Sequence, residues 1–142
     1  MIRVVLDTNI VLSSLLQPLG PPAKVLYLAR RGSLELSVSG PVYAEYEEVL
    51  RRPRFRRIED AISPTLHFIR ENGFWVRPTE AVRACADADD DIFLECAQTA
   101  GASWLVTGNT RDFPSVWQDT AIVTPRQFLD RLAEDVLRRS NV

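Results

Sequence analysis

Apolar residues at positions 2, 4, 5 and 6 run into the polar cluster Asp7-Thr8-Asn9. A short apolar run that stops at polar residues reads as a strand buried on both faces, as in a parallel sheet. The pattern therefore predicts a strand over residues 2–6. A helix is expected from Asn9 to Leu16, ending before Pro18, Gly20, Pro21 and Pro22. A second runs from about Pro22 to Arg31, with proline near its first turn and Gly32 at its stop. Residues 34–38 alternate like a strand. Gly40-Pro41 then opens a helix with Val42, Tyr46, Val49 and Leu50 as its apolar stripe, which ends before Pro53. Residues 63–72 form a further helix, and Phe74-Trp75-Val76 a third strand.

The second half repeats the alternation. Ile92, Phe93, Cys96, Ala97 and Ala100 recur at helical spacing within Asp89 to Ala100, and Gly101 closes that helix. Trp104 to Val106 is the fourth strand and ends in Thr107-Gly108-Asn109; Ala121 to Val123 is the fifth. Thr124-Pro125-Arg126-Gln127 has the form of a capping box, and the helix it starts should bury Phe128, Leu129, Leu132 and Val136. No repeat, low-complexity stretch or linker interrupts the series. The expected fold is α/β: a three-layer α/β/α sandwich with a five-stranded, mostly parallel sheet, one domain over residues 1–142.

Composition narrows the class further. With 142 residues, 46% hydrophobic and 25% charged, the chain can bury a substantial core without staples. No apolar stretch approaches the roughly 20 residues that span a bilayer. The first apolar run is broken by Asp7 before any cleavage site, so no secretory leader and a cytoplasmic location without membrane are expected. Cys85 and Cys96 need not pair, because Cys96 falls on an apolar helical face. The net charge of -2 excludes a uniformly basic nucleic-acid binder, yet Lys24 is the only lysine and five arginines (Arg51, Arg52, Arg54, Arg56 and Arg57) fall within seven residues. Guanidinium groups so grouped suit phosphate, making this a candidate phosphate-backbone patch. They equally suit a solvated helix end.

The available chemistry is carboxylate. In open α/β sheets ligands collect outside the carboxyl ends of the strands, where Asp7 stands. Capping of the next helix is the competing explanation for Asp7. His67, the one histidine, lies away from any strand end, and no P-loop or G-x-G-x-x-G loop is present. Glu45 and Glu48 are three apart on one helix, Asp87, Asp89, Asp90 and Asp91 crowd a helix start, and Asp112 follows the fourth strand. Like charges 4 Å apart repel by ~4 kcal/mol at an effective dielectric near 20, so a converging set needs a cation or raised pKa values. Hard oxygen donors without histidine or thiolate suit Mg²⁺ or Mn²⁺. Capping accounts for some of the Asp89 to Asp91 run, but poorly for Glu45, which lies inside its helix.

Taken in order, Val4-Val5-Leu6-Asp7-Thr8-Asn9, Ala44-Glu45-Tyr46 with Val49-Leu50, Asp87-x-x-Asp90 before Phe93, Ala97 and Gly101, and Leu105-Val106-Thr107-Gly108-Asn109 with Asp112-Phe113-Pro114 resemble the PIN-domain family. The similarity runs from Ile2 to Pro125 and is nearest to the VapC-like toxin components. It implies a metal-dependent ribonuclease of RNA phosphodiester bonds, a tendency to form a homodimer, and a cognate antitoxin that blocks the acidic pocket. By position, the resemblance makes Asp7, Glu45 and Asp90 metal ligands and catalytic residues, with Asp112 as the charged fourth. Thr8, Asn9, Asp87, Thr107 and Asn109 would support them. Asn109 stands where the family often carries an acid, a departure that bears on a second metal. Two other classes are weighed: a phosphatase of the haloacid dehalogenase type, which needs an acid at Asn9, and a non-catalytic PIN-like RNA- or protein-binding module. For a dimer, Trp75, Trp117 and the Tyr27 helix offer apolar surface, or alternatively belong to the core.

Overall fold

The computed structural model describes residues 1–140. The expected first strand is β1 (Arg3–Leu6), and it lies inside the sheet, between β2 (Glu35–Ser39) and β4 (Trp104–Val106). The full order is β3-β2-β1-β4-β6-β5, with β3 at Phe74–Val76, β5 at Val116–Trp117 and β6 at Thr120–Val123. All pairings are parallel except β5 with β6. Val4, Val5 and Leu6 are each at most 1% exposed. Successive strand residues face opposite sides, so helices must cover both faces of the sheet there.

The sheet has six strands rather than five. The extra strand, β5, is two residues long and folds back on β6 through Gln118, whose φ is 51°. Alternation cannot reveal so short a segment.

The helices are α1 (Thr8–Leu16), α2 (Pro21–Arg30), α3 (Gly40–Leu50), α4 (Glu59–Asn72), α5 (Asp91–Ala100) and α6 (Pro125–Ser140). Most begin or end within a residue or two of the expected positions. α4 instead starts four residues early, after a 3₁₀ segment over Pro53–Ile58, and carries Pro64 inside it. Ser63-Pro64 looks like a start signal, but Glu59 and Asp60 already occupy the first turn and Ile62, Leu66 and Ile69 are buried. The Thr124 capping box forms as expected. Gln127 N–H donates to Thr124 Oγ1 at 3.1 Å and Thr124 N–H to Gln127 Oε1 at 3.0 Å. Of the residues expected inside α6, Phe128 is buried, Leu129 and Leu132 are half-buried, and Val136 is 61% exposed because the helix runs on past the core.

The core gathers β1, Val38, Phe93, Leu105, Val106 and Phe128. Both cysteines are free, Cys96 buried and Cys85 half-buried. Burial pushes the Cys96 thiol up to about 12, as befits a packing residue. No described helix is long and apolar enough to cross a membrane. Residues 141–142, the tail of the expected single domain, lie outside the described residues.

Candidate active site

Asp7 stands just past β1, in extended conformation at the N-cap of α1, yet its carboxylate caps nothing. It turns instead across the sheet. Thr107, fully buried at the end of β4, donates its hydroxyl to Asp7 Oδ2 at 2.7 Å. The same Thr107 oxygen accepts Asn109 N–H at 3.0 Å. The backbone reinforces the pairing, because Asp7 N–H donates to the Val106 carbonyl at 2.9 Å. Asn9 Oδ1 reaches the same turn and accepts Gly108 N–H at 3.4 Å. Burial pushes the Asp7 carboxyl above its ordinary range. The Thr107 hydrogen bond works against that shift, and the charges of Glu45 and Asp112 add to it.

α3 supplies the next group. Ser39 ends β2 and caps α3, accepting Val42 N–H at 3.3 Å, which turns the helix back over the sheet. Half-buried Glu45 then faces α1, where it accepts the Thr8 hydroxyl. Tyr46, the next residue, has a role that the stripe pattern hid. Its buried hydroxyl donates to the Leu6 carbonyl at 2.5 Å, fixing the backbone immediately before Asp7. A tyrosine among aliphatics beside Glu45 was the available signal, since a buried phenol needs a partner. Glu48, in contrast, is exposed and pairs with Arg52 at 2.8 Å, outside the acidic group.

Two turns bring the remaining acids. Asp87 is exposed and caps the 3₁₀ turn Ala88–Asp90 by accepting Asp89 N–H at 2.9 Å. Half-buried Asp90 is raised to about 6 by burial first, then by the charges of Asp7, Asp87, Asp112 and Glu45. Carboxylates just past β1, on α3 and on two turns thus act on Asp90 together. Asp112 is exposed on the 3₁₀ turn Thr110–Asp112, and Asn109 on the turn before it is also exposed. Asp91, adjacent to Asp90, goes elsewhere. It is buried and accepts the N–H groups of Ala84 and Cys85 at 3.1 and 2.9 Å, a loop-holding role that the sequence did not reveal.

In kind these donors fit a hard divalent cation, being all oxygen with mutual repulsion to relieve. Asp7 keeps one oxygen clear of Thr107 and Glu45 one clear of Thr8. In position they are more open, for among the described residues no three acidic, histidine or cysteine side chains already form a cage for an ion.

The five arginines are all exposed at the α3–α4 junction. Arg52 is committed to Glu48, and Arg54 lies 4.7 Å over the Phe55 ring. Arg51 and Arg56 help line a cavity of about 300 Å³ with Phe55 and Ile62. Arg51 lies six residues beyond Glu45, roughly 9 Å along the helix axis. His67 is an exposed residue of α4.

A sequence model described as a PIN domain matches residues 3–111. The chain belongs to the PIN domain family. The match includes Asp7, Glu45 and Asp90 and stops one residue before Asp112. This PIN domain is similar, at 25% identity over 91% of its length and 90% of the relative's, to an uncharacterized protein of Methanocaldococcus jannaschii. Among solved structures it resembles a chain of VapBC2 from Rickettsia felis bound to a DNA fragment from their promoter. The TM-score is 0.55 with 14% identity, over 85% of this chain and 98% of that one. A chain of FitAB bound to the IR36 DNA fragment gives a TM-score of 0.49 with 20% identity, over 86% and 94%. The PIN fold is thus shared with the VapBC2 chain, although its sequence has diverged widely.

Proposed function

We propose that this single PIN domain is a metal-dependent ribonuclease and the toxin component of a toxin-antitoxin pair. The observation that carries the reading is Asp7 at the carboxyl end of a central parallel strand, held by Thr107 from β4, with Glu45 of α3 held beside it by Thr8. Asp7, Glu45, Asp90 and Asp112 would hold Mg²⁺ or Mn²⁺. A cation held there would supply Lewis acidity toward water and phosphate. Thr107 orients Asp7, Thr8 orients Glu45, and Tyr46 fixes the backbone immediately before Asp7. Asp87 shapes the Asp90 turn, Asn9 ties α1 to the β4 turn through Gly108 N–H, and Asn109 N–H closes that turn on Thr107. The arginines Arg51, Arg52, Arg54, Arg56 and Arg57 would hold the RNA backbone beside this centre.

The toxin assignment is supported by the shared fold with a chain of VapBC2. It brings with it a cognate antitoxin, a homodimer and action in the cytoplasm. Purified protein should cut mixed cellular RNA with Mg²⁺ or Mn²⁺ and not with EDTA. Asp7→Asn should lower cutting by at least ~100-fold with an unchanged circular dichroism spectrum, and a fully active variant would overturn the assignment.

One observation favours a second reading, a non-catalytic PIN-like module that binds RNA or protein. The acids do not form a ready cage among the described residues, and a neutral Asn109 occupies the turn. A folded protein that binds RNA and cuts none in any metal would establish it.

A further inference from the structure

Trp75 is 43% exposed although its indole nitrogen is hydrogen-bonded and its ring is packed on a neighbour. Its indole N–H donates to the Arg70 carbonyl at 2.9 Å, and Tyr43 packs on it with ring centroids 5.5 Å apart. The open side of the ring borders a cavity of about 530 Å³ shared with Gly40, Pro41, Arg77, Pro78 and Glu95. A Cβ added at Gly40 would meet nothing within 4 Å, so the absent side chain leaves that wall open. A large aromatic held rigidly and left exposed is a ready surface for a flat ligand.

The cavity belongs to the same end of the sheet as Asp7. Val4 is level with Leu36, so continuing the register sets Asp7 level with Ser39, and Ser39 is level with Val76 beside Trp75. Two strand spacings separate β1 from β3, roughly 10 Å. One extended strand of nucleic acid can reach both. Chemistry decides what part of it enters. Arg77 is exposed and forms no ion pair among the described residues, so it is available to a phosphate at the rim. Glu95 lines the cavity itself, with its Oε2 accepting Val82 N–H at 2.9 Å, and a carboxylate there repels phosphate but not a base.

We infer that the Trp75 cavity is a subsite for one unpaired nucleobase of a single-stranded substrate, stacked on the indole, with its flanking phosphate at Arg77. The inference rests on the ribonuclease reading for its substrate and makes that substrate single-stranded near the cut. A base paired inside a duplex has no free face to offer Trp75.

The test uses the full chain in EDTA, so that binding is read without cutting, with a cytidine tetranucleotide as probe. The tetranucleotide should quench tryptophan fluorescence in the natural protein and not in W75F. Its affinity should fall at least about fivefold in W75A, as loss of a stacking ring does elsewhere. Gly40→Leu, which adds bulk to the cavity wall and leaves Trp75 in place, should weaken binding similarly with an unchanged melting temperature. Quenching that survives in W75F, or affinity unchanged from that of the natural protein in both W75A and Gly40→Leu, overturns the subsite. So does displacement of the oligonucleotide from Trp75 by a peptide that binds there more tightly. Trp75-dependent binding without cleavage under any metal would fail the nuclease reading alone, whereas cleavage with Trp75-independent binding would fail this one alone.

Discussion

Asp90 and Asp91 are adjacent aspartates with opposite acid strengths, and their partners explain why. Burial disfavours the Asp91 carboxylate, but the N–H groups of Ala84 and Cys85 outweigh it and hold its pKa below the ordinary range. Asp90 has no such donors among the described residues and faces four other acids, which with burial raise it to about 6. A raised carboxyl binds its proton more tightly folded than unfolded, so its stabilising effect is complete below the unfolded value near 3.8 and disappears as pH rises through about 6. Metal-free protein should therefore lose stability between pH 4 and 6. Asp90→Asn should flatten that slope and gain of order 1 kcal/mol at pH 7, once solvent screening is allowed for. Urea titrations across this range measure both. Equal slopes would show that Asp90 is not the group under strain. The carboxylates were legible one at a time, as acids at strand ends and helix starts. Their partners were not, because Thr107 lies 100 residues from Asp7 and no spacing rule joins them.

At the scale of elements, Gly73 sets how closely α4 comes down on β2. A Cβ there would lie 2.6 Å from the Ile69 carbonyl oxygen and 2.8 Å from Val38 Cγ2. Neither neighbour is the tip of a flexible side chain, so Gly73→Ala should cost about 1–3 kcal/mol, read as a lower urea midpoint with unchanged slope. A cost near zero would mean that α4 shifts freely. Such contacts mark the boundary of sequence reading. Long signals survived into the structure: apolar runs gave β1 and β4, and paired capping residues gave the start of α6. Elements made by packing did not. Two-residue β5 exists only because β6 is there to pair with, and the 3₁₀ segment Pro53–Ile58 feeds directly into α4 ahead of the expected start. α6 erred the other way, for its periodicity continues after the core has ended, leaving Val136 and Leu137 exposed.

For the molecule as a whole, the clustered acids make stability depend on the ions present. A cation that binds only the folded form adds RT ln(1 + [L]/Kd), about 2.7 kcal/mol at a hundred times Kd. Millimolar Mg²⁺ or Mn²⁺ should thus raise the melting temperature by several degrees at pH 7, and an Asp7→Asn, Asp90→Asn double variant should show no rise. A rise retained in the variant would put the cation elsewhere. The Asp7–Thr107 bond also has a consequence for biosynthesis. β1 is synthesised well before its neighbour β4 and the hydroxyl that orients Asp7, which follow some hundred residues later. At 5–20 residues per second the nascent chain spends several seconds with its first acid unpartnered. The acidic centre is therefore incomplete until Thr107 has been made, and a chain cut short before that residue lacks it.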